Sequence, residues 1–266
     1  MIDRFGRTIN YLRVSVTDRC NLRCAYCMPP EGVPLLAHAD ILSFEEIVAV
    51  VVEAVALGVR KVRLTGGEPL VRRGIVELVG MLGKVKGIED LAMTTNGTLL
   101  GGLAAALKAA GLMRVNVSLD AIDPAEYARI TRGGDVRDVL AGIDAALSAG
   151  LRPVKLNCVV LRSSAEANAR DVAACAAERG LEARFIHRMD LKNGSFSVVE
   201  GGTGGDCRLC NRLRLTSDGY VRPCLFSDLR VSVRELGARQ ALRQAVTTKP
   251  PIGTQCSQDF IKRIGG

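Results

Sequence analysis

The 266-residue chain has no Trp, and aromatic residues make up 4% of it. No apolar run approaches the ~18–20 residues that cross a bilayer. The opening stretch, Met1-Ile2-Asp3-Arg4-Phe5-Gly6-Arg7, lacks the apolar segment of a signal peptide. A membrane-spanning, secreted, fibrous or disordered protein is therefore not expected, and the cytoplasm is the expected location. There is no Gly-x-x-x-x-Gly-Lys-Ser/Thr sequence, so any phosphate is held by something other than a P-loop. The cysteines number nine, an odd count, and they cluster. That argues against a disulfide framework and for a metal site in a reducing compartment. With 48% hydrophobic residues the chain can build its own core. Its length suits one large α/β domain, alone or with a smaller appendage.

Charge is unevenly spread. Net charge is +8; residues 184–266 hold 14 basic against 7 acidic side chains, while residues 1–183 hold 22 against 21. An Arg-rich end points to an anionic ligand, either nucleic acid or a phosphorylated small molecule, although a basic solvated surface gives the same count. Binding of RNA by stacking requires aromatics among the basic residues. Residues 184–266 offer Phe185, Phe196, Tyr220, Phe226 and Phe260 without an RNA-binding signature, so neither a nucleic-acid nor a membrane partner is expected.

Short β-branched runs occur at Leu12–Val16, Lys61–Thr65, Leu91–Thr95, Arg114–Leu119, Val154–Val160 and Ala183–Ile186. Helical spacing fills the intervals, at Ser43–Leu57, Arg72–Lys84, Leu99–Ala110, Asp123–Ile130, Val136–Ala149 and Ala169–Arg179. Ser43 opens a capping box with Glu46, and Gly58, Gly111, Gly150 and Gly180 sit where helices should stop. Successive β-then-α units imply a parallel sheet with right-handed crossovers. Periodicity leaves a partial barrel and an open doubly wound sheet equally open, and both place ligands at the C-terminal strand ends. The alternation stops after Met189. A Gly-rich polar stretch (192–206), a cysteine-bearing segment (207–233) and a helix near Val233–Ala245 follow, which divides the chain into 1–190 and 191–266.

The strongest chemical signal is Cys20-Asn21-Leu22-Arg23-Cys24-Ala25-Tyr26-Cys27, directly after the first strand. Three thiolates so spaced can hold three irons of a four-iron cluster and leave the fourth open. Zinc is the competing reading, although structural zinc sites favour four ligands. Leu64-Thr65-Gly66-Gly67-Glu68-Pro69 ends the second strand, and glycines there permit a close backbone approach. The cysteine loop and this Gly-Gly-Glu-Pro turn together resemble the radical S-adenosylmethionine (SAM) superfamily. The resemblance implies a [4Fe-4S] cluster on Cys20, Cys24 and Cys27. It places SAM against Tyr26, Gly66, Gly67, Glu68, Pro69, Ser118 and Met189.

Further segments narrow the resemblance. Leu12-Arg13-Val14-Ser15-Val16-Thr17-Asp18-Arg19-Cys20, Thr94-Thr95-Asn96-Gly97, Arg114 to Asp120, Lys155-Leu156-Asn157 and Arg184 to Met189 follow in order. So does Cys207-Arg208-Leu209-Cys210, leading through Asn211-Arg212-Leu213-Arg214 to Cys224. Together they resemble the GTP 3′,8-cyclase family of molybdenum cofactor biosynthesis. The implied fold is a partial (βα)6 TIM-like barrel with a small C-terminal iron–sulfur extension. The implied reaction uses a SAM-derived radical to abstract the ribose 3′-hydrogen of GTP, and closure onto C8 gives 3′,8-cyclo-7,8-dihydro-GTP. A second [4Fe-4S] cluster on Cys207, Cys210 and Cys224 would bind the purine; a zinc ribbon with a fourth ligand elsewhere, such as Cys256, is the structural alternative, while Cys256 otherwise reads as a surface thiol. GTP would meet Arg13, Arg63, Thr94, Lys155, Arg212, Leu213 and Arg214, with Arg212 and Arg214 among the catalytic groups. Gly265 and Gly266 would reach back into the site as the family's closing glycines do. A flavodoxin- or ferredoxin-type donor and hand-off to a cyclic pyranopterin monophosphate synthase are also implied, and the resemblance leaves room for a homodimer.

One departure stands out: 17 residues separate Met189 from Cys207, where the family has several dozen more. This keeps open a sister enzyme acting on another nucleotide or pterin-cofactor intermediate. A peptide-maturing radical enzyme is a further alternative, though those usually carry more auxiliary cysteines. Cys158 and Cys175 read as small buried hydrophobes, His38 as a loop residue, and His187 as a residue near the cavity mouth.

Overall fold

The computed structural model describes residues 1–257. Six strands, β1 (Tyr11–Ser15), β2 (Lys61–Thr65), β3 (Asp90–Thr95), β4 (Arg114–Ser118), β5 (Lys155–Val160) and β6 (Glu182–His187), lie parallel in chain order. The crossovers carry α1 (Phe44–Ala56), α2 (Ile75–Gly83), α3 (Leu100–Ala109), the pair α4 (Pro124–Thr131) and α5 (Val136–Ser148), and α6 (Ala167–Glu178). That order settles what periodicity left open. A doubly wound sheet reverses direction at a switch point, whereas here each right-handed crossover steps the same way and keeps its helix on one face. The fold is a partial TIM-like barrel, its helix-free face turned inward.

The strands read outward and inward with a period of two. Leu12 and Val14 of β1, Val62 and Leu64 of β2, Val115 and Val117 of β4, and Leu156 and Cys158 of β5 are buried in the core beneath the helices. Their neighbours Tyr11, Arg13, Arg63, Asn116 and Asn157 line the interior. α1 begins on the expected capping box: Ser43 Oγ accepts the Glu46 N–H at 3.1 Å, and Glu46 Oε2 accepts the Ser43 N–H at 2.7 Å. Cys175 is buried on α6 and Cys158 in β5, as their types suggested.

The C-terminal part continues the same sheet. β7 (Arg212–Leu215) pairs parallel with β1, and β8 (Tyr220–Arg222) and β9 (Val231–Ser232) add antiparallel. The single helix expected near 233–245 is two, α7 (Val233–Leu236) and α8 (Ala238–Thr247), because Gly237 turns the chain at φ 77°. The shortened link folds back beside β6, where Phe185 and Glu200 exchange backbone hydrogen bonds at 3.0 Å each. A second small core forms there from Leu191, Leu225, Phe226 and Cys256, with Phe196 stacked on Phe226 at 4.4 Å. Cys256, expected as a surface thiol, is fully buried in this core, and Arg222 Nη2 donates to its sulfur at 3.1 Å. His38 lies in a short 3-10 turn.

Candidate active site

The barrel interior is a cavity of about 560 Å³ lined by both three-cysteine sets. Strand direction places the sets at opposite ends. Cys20 follows the C-terminal end of β1, whereas Cys210 precedes the N-terminal end of β7, which runs parallel to β1. Cys224 follows β8, which returns antiparallel to the Cys210 end. The expectation that all ligands gather at the C-terminal strand ends thus holds for the first set alone.

The first cysteine loop is fastened on three sides. Ala25 N and Arg23 N donate to the carbonyls of Ile130 and Thr131 at the end of α4, at 2.9 and 3.1 Å. Arg132, in the left-handed region at φ 58°, donates to the carbonyls of Met28 and Arg23 at 2.7 and 3.0 Å. The Tyr26 hydroxyl donates to Asp120 Oδ2 at 2.7 Å. From the third side, the Gly67 and Glu68 amides donate to the carbonyls of Thr17 and Arg19, each at 2.8 Å. A Cβ on Gly66 would stand 2.5 Å from the Thr17 oxygen, and one on Gly67 would stand 2.3 Å from that of Arg19. The glycines are needed because the cysteine strand–loop junction lies against them. Burial, then Asp120 and the neighbouring thiols, pushes the Cys24 thiol up to about 12.

Glu68 is 1% exposed, and its carboxylate accepts from Leu70 N, the Thr95 hydroxyl and Asn96 N at 3.0, 2.6 and 2.6 Å. Its side chain is committed to joining the ends of β2 and β3. Burial pushes it up to about 7 against those hydrogen bonds.

Register stacks cations across the interior. Arg214, Arg13 and Arg63 are direct neighbours on β7, β1 and β2, and Arg212 pairs with Tyr11 one step below. Burial first, and then Arg214, pushes Arg13 well below its usual range. Burial and Arg212 bring Arg214 down to about 10, and burial lowers Arg63. Arg114 is neutralised by Asp90 through a two-pronged pair at 2.8 and 2.6 Å. The Nε atoms of Arg63 and Arg184 and the hydroxyls of Tyr11 and Thr94 are buried at the cavity wall with no hydrogen-bond partner among the described residues. Such groups call for a polar, anionic ligand.

At the other end Cys207, Cys210 and Cys224 line the cavity. Gly253 lies so close that a Cβ would stand 3.2 Å from Cys224 Sγ. Burial raises the Cys210 thiol, but the cations of Lys249 and Arg212 outweigh it and bring it down to about 7. Among the described residues the nine cysteines form no disulfide, and no three His, Cys, Asp or Glu side chains converge on a single-ion site. Zinc draws its thiolates to about 2.3 Å from one point, whereas a four-iron cluster takes them at separate corners. Three thiols at each end of the cavity can serve as three such corners.

Of the residues expected at the site, Arg13, Tyr26, Arg63, Gly66, Gly67, Glu68, Thr94, Ser118, Met189, Arg212 and Arg214 line the cavity with the six cysteines. Three do not. Pro69 is buried behind the turn, Leu213 is fully buried in the core on the outward face of β7, and Lys155 pairs with Glu182 rather than lining the cavity. Gly265 and Gly266 lie outside the described residues. Not singled out before, Tyr11, Asn116 and Asn157 line the cavity, as strand alternation alone would have indicated. Phe196 and Phe226 do so as well, from the second core. His187 lines the wall and has its Nε2 3.0 Å from the Arg162 carbonyl.

Residues 14–174 match the radical SAM superfamily. The GTP 3′,8-cyclase of Petrotoga mobilis is 40% identical over 323 aligned positions that cover 100% of both chains. That of Pelotomaculum thermopropionicum is 43% identical over 305 positions, 94% of each chain. The first alignment is longer than the 266 residues of this chain, so it contains gaps. Among solved structures, anSMEcpe with bound AdoMet superposes with a TM-score of 0.65 at 15% identity, covering 96% of this chain and 88% of that one. SuiB of Streptococcus suis bound to S-adenosylmethionine gives 0.62 at 15%, over 92% and 64%; these two likenesses carry the fold alone. By its sequence relatives and its barrel, the chain belongs to the radical SAM superfamily and, within it, to the GTP 3′,8-cyclase family.

Proposed function

We propose that this chain converts GTP to (8S)-3′,8-cyclo-7,8-dihydro-GTP, the first step of molybdenum cofactor biosynthesis. The observation that carries the reading is a single cavity with a three-cysteine set at each end and buried-edge arginines on the strands that connect them. Residues 1–190 form the SAM-binding barrel, and within 191–266 the described residues bring the second cysteine set to its open side. Cys20, Cys24 and Cys27 hold one [4Fe-4S] cluster, and Cys207, Cys210 and Cys224 hold a second. When bound, the first supplies the electron that splits SAM into methionine and a 5′-deoxyadenosyl radical.

The protein's own part is to hold, orient and enclose. Tyr26, the Gly66-Gly67-Glu68 backbone, Ser118 and Met189 surround SAM. Arg13, Arg63, Arg212 and Arg214 neutralise the triphosphate, guanidinium forks being well matched to phosphate oxygens. The link after β6 lines the cavity with Phe196, Val199 and Gly202–Gly205, so a short connection still contributes to its wall. A low-potential flavodoxin or ferredoxin donates the electron. The product passes to a cyclic pyranopterin monophosphate synthase, and a homodimer is the assembly to look for.

The test is an anaerobic incubation of reconstituted, dithionite-reduced protein with SAM and GTP, followed by mass spectrometry. 5′-Deoxyadenosine and cyclised GTP are expected together, and Cys24→Ala should abolish both. 5′-Deoxyadenosine without cyclised GTP would transfer the reading to another nucleotide. Neither product from iron-loaded protein would overturn it.

A further inference from the structure

Lys249 follows α8 and is 1% exposed, one of the largest fully buried side chains in the protein. An ammonium is seldom removed from water without partners. Its Nζ donates to the carbonyl of Arg212 at 2.9 Å and to that of Pro223, and its charge faces the Cys210 sulfur. Arg212 lies two residues beyond Cys210, and Pro223 immediately precedes Cys224. One side chain therefore fastens both segments that carry these cysteines.

Arg7 fastens the third. Its Nη1 donates to the carbonyls of Cys207 and Pro251 at 2.7 and 3.0 Å, and its Nη2 to that of Pro250 at 2.6 Å. Asp3 orients the guanidinium through Nε at 2.7 Å. The stretch Lys249-Pro250-Pro251 thus reaches all three cysteine segments through two cations. The titratable groups facing Lys249 are the Cys210 and Cys224 thiols, with Arg7 as the opposing positive charge. Among the described residues no carboxylate forms an ion pair with it. A buried ammonium that ties both cysteine segments and faces their sulfurs is placed to serve whatever those sulfurs bind.

We propose that Lys249 is the positioning residue of the second cysteine site: it sets the spacing of the Cys210 and Cys224 segments and supplies the charge that offsets a thiolate-bound iron–sulfur cluster. The inference rests on the reading of Cys207, Cys210 and Cys224 as cluster ligands. A fixed cation stabilises the more negative, one-electron-reduced state over the oxidised state. Removing it should make that reduction harder.

The test uses full-length protein carrying Cys20→Ala, Cys24→Ala and Cys27→Ala, so that iron reports on the second site alone. If this parent takes up no four-iron cluster, the cluster reading itself falls. If it does, Lys249→Arg, Lys249→Met and Lys249→Gln are compared by iron content, electron paramagnetic resonance of the reduced cluster and midpoint potential. Arginine is expected to retain iron and potential. Methionine should lower the reduced-to-oxidised ratio at a fixed potential at least tenfold, about 59 mV for one electron, or lose the cluster from a chain that still melts cooperatively. Should the methionine variant not fold, glutamine, which keeps N–H donors for the carbonyls without charge, carries the same comparison. A neutral variant with the parent's iron content and potential overturns the proposal. Equal loss of iron from the arginine and neutral variants does so as well.

Discussion

The Tyr26 hydroxyl donates to Asp120 Oδ2 at 2.7 Å, while Asp120 Oδ1 accepts the Val159 N–H at 2.8 Å. One carboxylate therefore ties the loop between Cys24 and Cys27 to the ends of β4 and β5. Burial pushes both groups up, the carboxyl above its usual range and the phenol well above, Asp120 adding to the latter. Tyr26→Phe leaves one acceptor of a buried carboxylate unmade, which costs about 1–3 kcal/mol. Asp120→Ala strands the phenol and the Val159 amide together and frees the loop. We expect urea melts to show the smaller loss for Tyr26→Phe with iron retained. Asp120→Ala should also lose the iron of the first site, and unchanged iron in that variant would refute the tether.

The Gly67 position admits no side chain. A Cβ would stand 2.3 Å from the Arg19 carbonyl oxygen, which is backbone and cannot swing aside. Gly67→Ala should cost a few kcal/mol, the scale of overpacking and backbone displacement. It should also part the Glu68–Arg19 hydrogen bond that seats the cysteine loop. Gly80 is the control, because a Cβ there meets nothing within 4 Å. Gly80→Ala should melt at or above the parent temperature, and Gly67→Ala well below it with reduced iron uptake.

The residues that sequence reading found and missed differ in how local their cause is. Tyr11-Leu12-Arg13-Val14 alternates because one strand face meets helices and the other a polar cavity. That pattern is written in four consecutive residues. Strand order depends on which way each crossover steps, so the choice between barrel and open sheet lay outside periodicity. The Gly66-Gly67 pair was legible as a close approach, but its partner, the Thr17–Arg19 backbone, is about fifty residues away. Cys256 and Lys249 are buried by segments more than 20 residues distant in sequence, which no local pattern reports. Lys155 was assigned by resemblance alone, and its pairing with Glu182 on the neighbouring strand is a tertiary fact.

Arg13 and Arg214 are register partners on adjacent strands, and burial with like charge pushes both below their ordinary range. A polyanion between them relieves that repulsion. Arg214→Met should weaken GTP binding by roughly 10- to 150-fold, the loss of one charge-assisted contact worth about 1.5–3 kcal/mol. The same change removes one of three neighbouring like charges from the interior, so a ligand-free melt reads how much that crowding costs the fold. Titration calorimetry with GTP and a thermal melt without it read the two effects separately. Unchanged GTP affinity would remove Arg214 from the phosphate site.

Glu68 makes stability depend on pH within the physiological range. Its folded carboxyl sits at about 7, above the ordinary 4.5, because burial outweighs the three donors that face it. A group whose pKa rises on folding favours the folded state below its unfolded pKa, and that contribution disappears as pH climbs through the folded value. Between pH 4.5 and 7 the protein should therefore lose roughly 3 kcal/mol through this residue, at 1.36 kcal/mol per unit. Glu68→Gln does not titrate. Its NH2 is donor-only, whereas the protonated carboxyl keeps acceptor capacity at both oxygens, so the variant should be less stable than the parent at pH 5. The gap should narrow up to about pH 7 and level off above it, since only the parent loses stability below that point. Denaturant melts of both proteins at half-unit steps measure it, and a gap that stays constant or widens with pH would show that the carboxylate is ionised throughout.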